Sequence, residues 1–338
     1  MFLHAPGWSC VLAVVSLLLG CRDSDPAVAY KELRSERAQV RADAASRLGQ
    51  ARAAEAVGSL AAMLDDPDET VRVTAVRALG QIGDRQALPA LVRRAEDPLG
   101  SVRLALCQAL GQLGDAAAIP TLTRLLHDPD ETIRLSAARA LGKMDQGAGD
   151  RTLLTAALQD PSETVRRHAR KVLAERGGQE ALPQLTAALA GNDEAVRARA
   201  AQVLGEIAHP AALPALLPAL DDPSAAVRAG AAQALGRIAP ADPAVLAALK
   251  RRLALERDTL CQVDLAWNLA KGGDRSAVPR IRELLAEGNP EVVRAEAAMA
   301  LGEVGDKTDI ALLHRALDGG TGLVRKQASM AVQKLEKT

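Results

Sequence analysis

The sequence predicts an all-α protein, an α-solenoid of about ten helical hairpins stacked in an array. A Val-Arg or Ile-Arg pair recurs at intervals of 31 or 32 residues, and one interval of 66 residues leaves room for a further copy. Aromatic residues make up only 1% of the chain, whereas hydrophobic residues make up 48%. A core of Ala, Leu and Val suits closely packed helices better than strands.

The first twenty residues have the pattern of an export signal. The apolar run 11–19 is interrupted only by Ser16 and is shorter than the roughly 20 residues that span a bilayer. It ends in Leu18-Leu19-Gly20-Cys21, which resembles the lipobox of bacterial lipoproteins. That resemblance implies a signal peptide at 1–20, lipid attachment at Cys21 and a short tether at 21–26. The segment 1–10 departs from the pattern because it has no Lys or Arg, and an ordinary secretory signal is the alternative.

The residue after the anchor bears on location. In enterobacterial lipoproteins an Asp directly after the Cys favours the inner membrane, whereas Arg22 occupies that position here. We therefore expect a lipid-anchored protein on the periplasmic side of the bacterial cell envelope, with the outer membrane favoured. The short tether would keep the first repeat near the lipid surface.

The second helix of each hairpin, called helix B, contains the Val-Arg pair. Apolar residues at Val71, Ala75 and Leu79 have the i, i+4, i+8 spacing of one helical stripe, and the other repeats share it. Asp66-Pro67 precedes this stripe, and we expect the Asp of each such turn to be the helix N-cap. Glycines close helix B, and the expected left-handed positions are Gly83, Gly114, Gly273 and Gly305.

The first helix, helix A, begins with a proline in its first turn. These prolines are Pro89, Pro120, Pro183, Pro214 and Pro279. Helices of ten to twelve residues are marginal in isolation, so the repeats are expected to be stable only as a stacked array over 27–338. A short helix at 26–35 and a last helix at 322–335 would close the two ends.

The eighth repeat departs from the pattern. Cys261-Gln262 replaces Val-Arg, Glu256 lies where the Asp-Pro turn is expected, and helix A is longer, through 246–255. Asp264 and Trp267 follow three and six positions after Cys261. Trp267 is interpreted either as a binding hot spot beside a carboxylate or as filler for a void in an irregular repeat.

The combined pattern of Asp-Pro, Val-Arg, Ala, Leu-Gly and Gly-Asp resembles the HEAT-like repeats of phycobilisome lyases, over 27–338. This resemblance implies that helix B lines the concave face of the solenoid. It also implies that residues two, three and six positions after the repeat valine point to that face. The repeat type is specific for fold and says little about function.

The arginine of the Val-Arg pair has two interpretations. It could offer a row of cations to an acidic ligand, or it could pair with Asp66, Asp97, Asp128 and their equivalents in adjacent turns. We favour the structural ladder, because a residue shared by every repeat usually serves the repeat itself. The ladder residues are Arg72, Arg103, Arg134, Arg166, Arg197 and Arg228, with Arg41, Arg294 and Arg325 at the equivalent positions.

Variable basic residues on helix B are the other candidates for partner binding. They are Arg139, Arg167, His168, Lys171 and Arg199. One interpretation is a groove for an acidic partner; the other is a solvated helix face balanced by Glu163, Glu175 and Glu180. Nucleic acid is not expected as a partner, because no aromatic residues interleave with the charges and the chain has an export signal.

Enzyme classes find little support in the sequence. Deoxyhypusine hydroxylase, which has related repeats, binds iron through His-Glu pairs, and no His-Glu pair occurs here. No Gly-rich phosphate loop or Gly-x-Ser-x-Gly elbow appears. We expect no cofactor and no metal, and we expect Cys107 and Cys261 to be thiols inside helices. The predicted function is a non-enzymatic scaffold for an unidentified protein; the alternative is an enzyme accessory or a lyase-like, metal-dependent repeat protein.

Overall fold

The computed structural model describes residues 26–144 and 149–337. These residues form twenty α-helices and contain no β-strand. The prediction of an all-α solenoid is therefore confirmed. The predicted signal peptide and Cys21 lie outside the described residues. The helices group into two compact units, one holding the described residues up to 156 with 160–169, the other holding 157–159 and the residues from 170 onward.

Helices A and B alternate along the chain. The A helices are α1 Pro26–Glu32, α3 Val57–Ala62, α5 Leu88–Val92, α7 Ile119–Leu125, α9 Asp150–Gln159, α11 Leu182–Leu189, α13 Leu213–Ala219, α15 Pro243–Leu255, α17 Val278–Leu285 and α19 Ile310–Gly319. The B helices are α2 Ala38–Gln50, α4 Glu69–Ile82, α6 Gly100–Leu113, α8 Glu131–Leu141, α10 Glu163–Glu175, α12 Glu194–Ile207, α14 Ala225–Ile238, α16 Thr259–Lys271, α18 Glu291–Val304 and α20 Gly322–Glu336. Helix α1 ends at Glu32, three residues earlier than expected.

In the first unit the B helices pack side by side through the predicted apolar stripe. Val71, Ala75 and Leu79 of α4 are all fully buried. Gly80 lies where a neighbouring helix comes closest, since a Cβ added there would lie 2.7 Å from the Cα of Ala109 on α6. Small residues at this crossing let the helix axes approach and bury the leucines on either side.

The start of helix B differs from the prediction. Asp68 caps α4, because its carboxylate accepts the backbone N–H of Thr70 at 2.8 Å. Asp66 instead accepts the N–H of Asp68 at 2.9 Å and so closes the turn before the helix. The expected N-cap at Asp66 is therefore wrong by two residues, because the carboxylate of Asp66 is engaged in the turn rather than in the helix end.

The ends of helix B agree with the glycine pattern except at one position. Gly83, Gly114 and Gly273 have φ values of 75°, 63° and 109°. Gly305 has φ of −75°, so the left-handed prediction there is wrong. A capping box follows Gly305 directly. In it, the side chains of Asp306 and Asp309 accept hydrogen bonds from backbone N–H groups, so no left-handed residue is needed.

The second unit contains the irregular eighth repeat. Helix α15 has 13 residues, compared with 7 in α13, as the sequence predicts. Helices α14, α16, α18 and α20 pack in succession. Asn268 occupies a position where most of the other repeats have Ala, and it lies against Gly236 of α14. Among the described residues, no helix is both long enough and apolar enough to cross a membrane.

Candidate protein-binding surface

The arginines of the Val-Arg pairs connect successive repeats. In α4, Arg72 donates from Nη1 to the carbonyl oxygens of Asp66 at 2.8 Å and Pro67 at 3.1 Å, both in its own turn. Its Nε donates to the carboxylate of Asp97 in the next turn, at 3.2 Å. The same link to the next repeat joins Arg41 with Asp66, Arg103 with Asp128, Arg134 with Asp160, Arg197 with Asp222 and Arg228 with Glu256.

The side chains that carry these guanidinium groups are largely buried. Their side chains are only 10% to 16% exposed. Burial opposes ionisation of Asp66, Asp128 and Asp222, but hydrogen bonds from the arginine and from the turn outweigh it and lower the pKa of each carboxyl. These six arginines are thus already paired, and they do not present a set of open cations to a ligand.

Arg166 is an exception within this row. Its Nε donates to Glu163 of its own helix at 3.0 Å instead of to an acid of the next turn. The reason lies in the sequence, because Gly191-Asn192 occupies the place where the next turn would offer a carboxylate. Arg294 is a second exception, because its Nε donates to the carbonyl oxygen of Leu285 at 3.3 Å.

The basic residues proposed for partner binding have different surroundings. Arg139, Arg167 and Lys171 are exposed, and Lys171 Nζ lies 3.7 Å from Glu175. His168 is partly buried. Arg199 is partly buried and donates to the carbonyl oxygen of Leu158 at 2.8 Å.

The run 166–171 therefore exposes less charge than its sequence suggests. Arg170 is buried, 3.4 Å from the carboxylate of Glu206, and Arg166 is held by Glu163. The exposed cations of this run are Arg167 and Lys171.

Asp264 and Trp267 lie one turn apart on α16, and both are partly buried. The indole N–H of Trp267 is buried and has no acceptor among the described residues. Lys271 Nζ lies 5.9 Å from the centre of the indole ring, in the range of a cation–π contact.

The carboxylate of Asp264 lies in an unfavourable environment. Burial first, and then the negative charges of Glu296 and Asp258, raise its pKa to about 6, although Gln233 donates a hydrogen bond to it at 2.7 Å. The two charges that shift the pKa of this carboxyl are both negative, and both oppose its ionisation.

Large apolar residues occupy the equivalent repeat positions in three successive B helices. We define the C-terminal patch as the residues one position before, three after and six after the repeat valine or its equivalent in α16, α18 and α20. They are Leu260, Asp264, Trp267, Val292, Glu296, Met299, Leu323, Gln327 and Met330. Spacings of four and three residues place the members of each helix on a single face.

The patch exposes large apolar groups to solvent. Leu260 is 39% exposed, Val292 51%, Leu323 43% and Met330 57%. At the position before the repeat valine, the earlier B helices have only small or polar residues: Gln39, Thr70, Ser101, Thr132, Thr164, Ala195 and Ala226. The sequence reasoning missed the patch because it compared charges at these positions; comparing their apolar character from repeat to repeat would have found it.

The corresponding face of the first unit is polar. A groove of about 320 Å³ between α2 and α4 is lined by Gln39, Asp43, Ser46, Thr74 and Arg77, among others. The groove between α2 and α4 and the C-terminal patch thus present different chemistry at equivalent repeat positions.

The described residues contain neither a metal site nor a disulfide. Within residues 26–144 and 149–337, no three His, Cys, Asp or Glu side chains are grouped to hold a metal ion. Cys107 and Cys261 are buried and form no disulfide. Burial raises the pKa of the Cys107 thiol to about 12, so it remains protonated at neutral pH.

The fold and the repeated Arg–Asp links define an α-solenoid of helical hairpins. The chain belongs to the HEAT-repeat family, because the family model for HEAT repeats matches residues 26–105, 94–174, 182–270 and 258–333. A sequence search of curated proteins gave no match.

Solved structures with the same fold include karyopherin Kap121p. Its D353K/E396K/D438K mutant has 15% sequence identity and a TM-score of 0.68, and the match covers 100% of this chain and 43% of that one. Kap121p bound to the extreme C-terminus of the protein phosphatase Cdc14p has 15% identity and a TM-score of 0.69, over 98% of this chain and 43% of that one. The present chain therefore spans less than half the length of Kap121p, and the likeness shows the fold alone.

The complex of CpcE and CpcF of phycocyanin lyase from Nostoc sp. PCC7120 also matches. It has 26% identity and a TM-score of 0.40, over 69% of this chain and 95% of that one.

Proposed function

We propose that this chain is a non-enzymatic scaffold that binds a protein partner on its helix-B face. The observation that carries the proposal is a contrast within helix B between residues that hold the array together and outward residues that vary from repeat to repeat. The stripe of Val71, Ala75 and Leu79 and the paired Arg72 serve the array, and their equivalents recur along it. The outward positions differ from repeat to repeat, from polar in α2 and α4 to apolar in α16, α18 and α20. Side chains that do not support the fold are the ones available for recognition.

A HEAT-repeat array can hold protein segments. Kap121p has been solved with the extreme C-terminus of Cdc14p, and also with Ste12p and Nup53p. These complexes belong to Kap121p, and they support a binding role for the present chain only through the shared fold.

We also propose that the protein is exported and anchored by lipid at Cys21, in the bacterial envelope and facing the periplasm, with the outer membrane favoured. Support comes from the apolar run 11–19, the lipobox-like Leu18-Leu19-Gly20-Cys21 and Arg22. The repeat motif supports assignment to the phycobilisome-lyase-like subgroup. The predicted export signal and the lack of His-Glu pairs argue against lyase or hydroxylase activity.

The scaffold role is tested by crosslinking the full-length protein in its native host, followed by mass spectrometry. We expect a protein partner crosslinked to outward residues of the B helices. Crosslinks confined to the A helices would contradict the proposed face, and a purified protein that retains a metal or chromophore would contradict the non-enzymatic role. In the same samples, a mature N-terminus other than a lipidated Cys21 would rule out the anchor.

The basic residues of α10 allow a direct comparison. If they form the contact, Arg167→Glu with Lys171→Glu abolishes capture of the partner and leaves the helical melting curve unchanged. Arg257→Glu, at an exposed cation outside the helix-B face, is the matched control.

A further inference from the structure

We propose that the C-terminal patch docks a segment of another protein that presents large apolar side chains around at least one Lys or Arg. This inference deepens the scaffold role and rests on it. It assigns the binding site to α16, α18 and α20 and gives the partner a basic character, whereas the residues of α10 would call for an acidic one.

The apolar part of the argument is the concentration of exposed hydrophobic groups. Among the described residues, the large hydrophobic side chains that stand out as exposed are Leu255, Leu260, Val292, Leu323 and Met330. All but Leu255 belong to the patch, and the partly buried Trp267 and Met299 complete it. Scattered hydrophobic residues on a surface are normal, but a contiguous group is typical of an interaction site.

The rows of the patch run across the three helices. Leu260, Val292 and Leu323 form one apolar row, and Trp267, Met299 and Met330 form another. The row between them begins with Asp264 and Glu296. At about 10 Å between neighbouring helices, three helices span roughly 20 Å, which is the length of about six extended residues.

Charge complementarity decides the sign of the partner. Neither Asp264 nor Glu296 has an ion pair among the residues that the structure describes, and the carboxylate of Asp264 is destabilised by burial and by the charge of Glu296. Covering this row with an uncharged apolar segment would bury both carboxylates further and destabilise their charges more. A Lys or Arg placed between the two carboxylates would relieve it while the apolar rows close around its stem.

The same charges argue against two other occupants. A second copy docked through its own patch would bring Asp264 and Glu296 opposite like charges. A lipid surface would have to accept two carboxylates within the buried face, and anionic headgroups would repel them.

The test is selection of random 12-residue peptides displayed on phage against the purified full chain. We expect enriched peptides that combine large apolar residues with Lys or Arg. The triple variant Val292→Ser/Leu323→Ser/Met330→Ser should weaken the binding of a selected peptide by roughly tenfold or more, as expected when several hot-spot contacts are lost. Asp264→Asn/Glu296→Gln should weaken basic peptides and make binding less sensitive to salt.

Matched controls separate docking from folding. Leu255→Ser removes an exposed apolar side chain outside the patch, and Asp318→Asn removes an exposed charge outside it. Both should leave peptide affinity unchanged. Because Asp264 is partly buried, the circular-dichroism melting curve of every variant is recorded to show that it keeps the fold.

Several results would overturn the inference. These are an absence of enriched peptides, enrichment of acidic peptides, and binding that the patch variants leave intact. Self-association abolished by the triple variant would assign the patch to a second copy, and cosedimentation with phosphatidylglycerol vesicles abolished by it would assign the patch to lipid. A native partner crosslinked at Arg139 and Arg167 would reject the patch and keep the scaffold role, whereas absence of any partner would reject both.

Discussion

At the scale of single residues, the glycines of four Leu-Gly pairs set how closely two B helices approach. Cβ atoms added at Gly49, Gly80, Gly205 and Gly302 would lie 2.6 to 2.8 Å from the Cα of an alanine on the next B helix. The contact atoms are backbone, so they cannot move aside as a flexible side chain could. Each of these glycines is therefore required by packing between helices, although its own backbone is helical.

Gly80→Ala should destabilise the protein by about 1–3 kcal/mol, because the new methyl group overlaps the backbone of α6. The measurement is urea unfolding followed by circular dichroism. Gly58→Ala is the matched control, since nothing lies within 4 Å of the added Cβ on the exposed side of α3. There, helix propensity alone should stabilise by roughly 0.5–1 kcal/mol. Equal effects at both positions would contradict the packing argument.

Asp264→Asn should stabilise the protein at pH 7.5 by about 1–3 kcal/mol and have little effect at pH 4. The pKa of Asp264 is about 6 in the folded chain, above the ordinary value, because of burial and then Glu296 and Asp258. Between about pH 4 and 6 the folded state holds a proton that the unfolded state has lost, so this residue lowers stability as pH rises through that window.

The amide keeps the hydrogen bond from Gln233 and removes the charge. Unfolding of wild type and variant at several pH values measures the difference, with Asp318→Asn as an exposed control. A stability difference that does not change with pH would show that the carboxylate of Asp264 is not destabilised in the folded protein.

At the scale of an element, the eighth repeat is linked to its neighbour as the other repeats are, but by different residues. Arg228 and Glu256 form a two-fold hydrogen bond with both distances at 2.6 Å, and the side chain of Glu256 is fully buried. Gln262 replaces the next arginine, and its amide donates to the carbonyl oxygen of Glu256 at 2.6 Å. The irregular spacing is therefore accommodated by a longer acid at the turn.

Glu256→Ala should destabilise the second unit by about 3–5 kcal/mol, because it leaves the buried guanidinium of Arg228 without its partner. Thermal unfolding measures the loss. Glu96→Ala provides the comparison, since Glu96 and Arg124 form a pair with side chains 84% and 55% exposed. Removing that pair should change stability by no more than about 1 kcal/mol. If Glu256→Ala had as small an effect as the control, Arg228 would not depend on this carboxylate.

At the scale of the whole molecule, stability is expected to be a sum of terms from neighbouring repeats. Helix α4 packs against α2 and α6, and α18 packs against α16 and α20. The links between repeats, such as Arg72 with Asp97, likewise reach only the next turn. Such arrays lack the long-range contacts that make a globular domain unfold as one body.

Hydrogen exchange followed by mass spectrometry should show this locality. Gly80→Ala should speed amide exchange in α4 and α6 and leave exchange in α18 and α20 unchanged. Uniformly faster exchange along all B helices would indicate that the chain opens as a single cooperative body.

The sequence could predict the class of fold and the positions of its helices, because each repeat carries its own signals. Asp-Pro, Val-Arg and Leu-Gly act locally, and their recurrence reduces the effect of an error in any one copy. It could also name the arginines of the ladder, but not that Arg166 pairs within its own helix or that Glu256 supplies the acid for Arg228. Those pairings depend on which carboxylate the next turn brings within reach.

By itself, then, the sequence determined the helical hairpins, their number and their apolar stripe, since periodicity is a property of the chain. Only the tertiary structure decided which side chains remain exposed once neighbouring helices are packed. Arg170 and Arg199 belong to a basic pattern in the sequence. In the structure, Arg170 lies beside the carboxylate of Glu206, and Arg199 donates to the carbonyl oxygen of Leu158. Leu260, Val292 and Leu323 are 31 or 32 residues apart in the chain and share one face only because their helices stack. Exposure depends on neighbours that are distant in sequence, and a pattern within one repeat does not contain them.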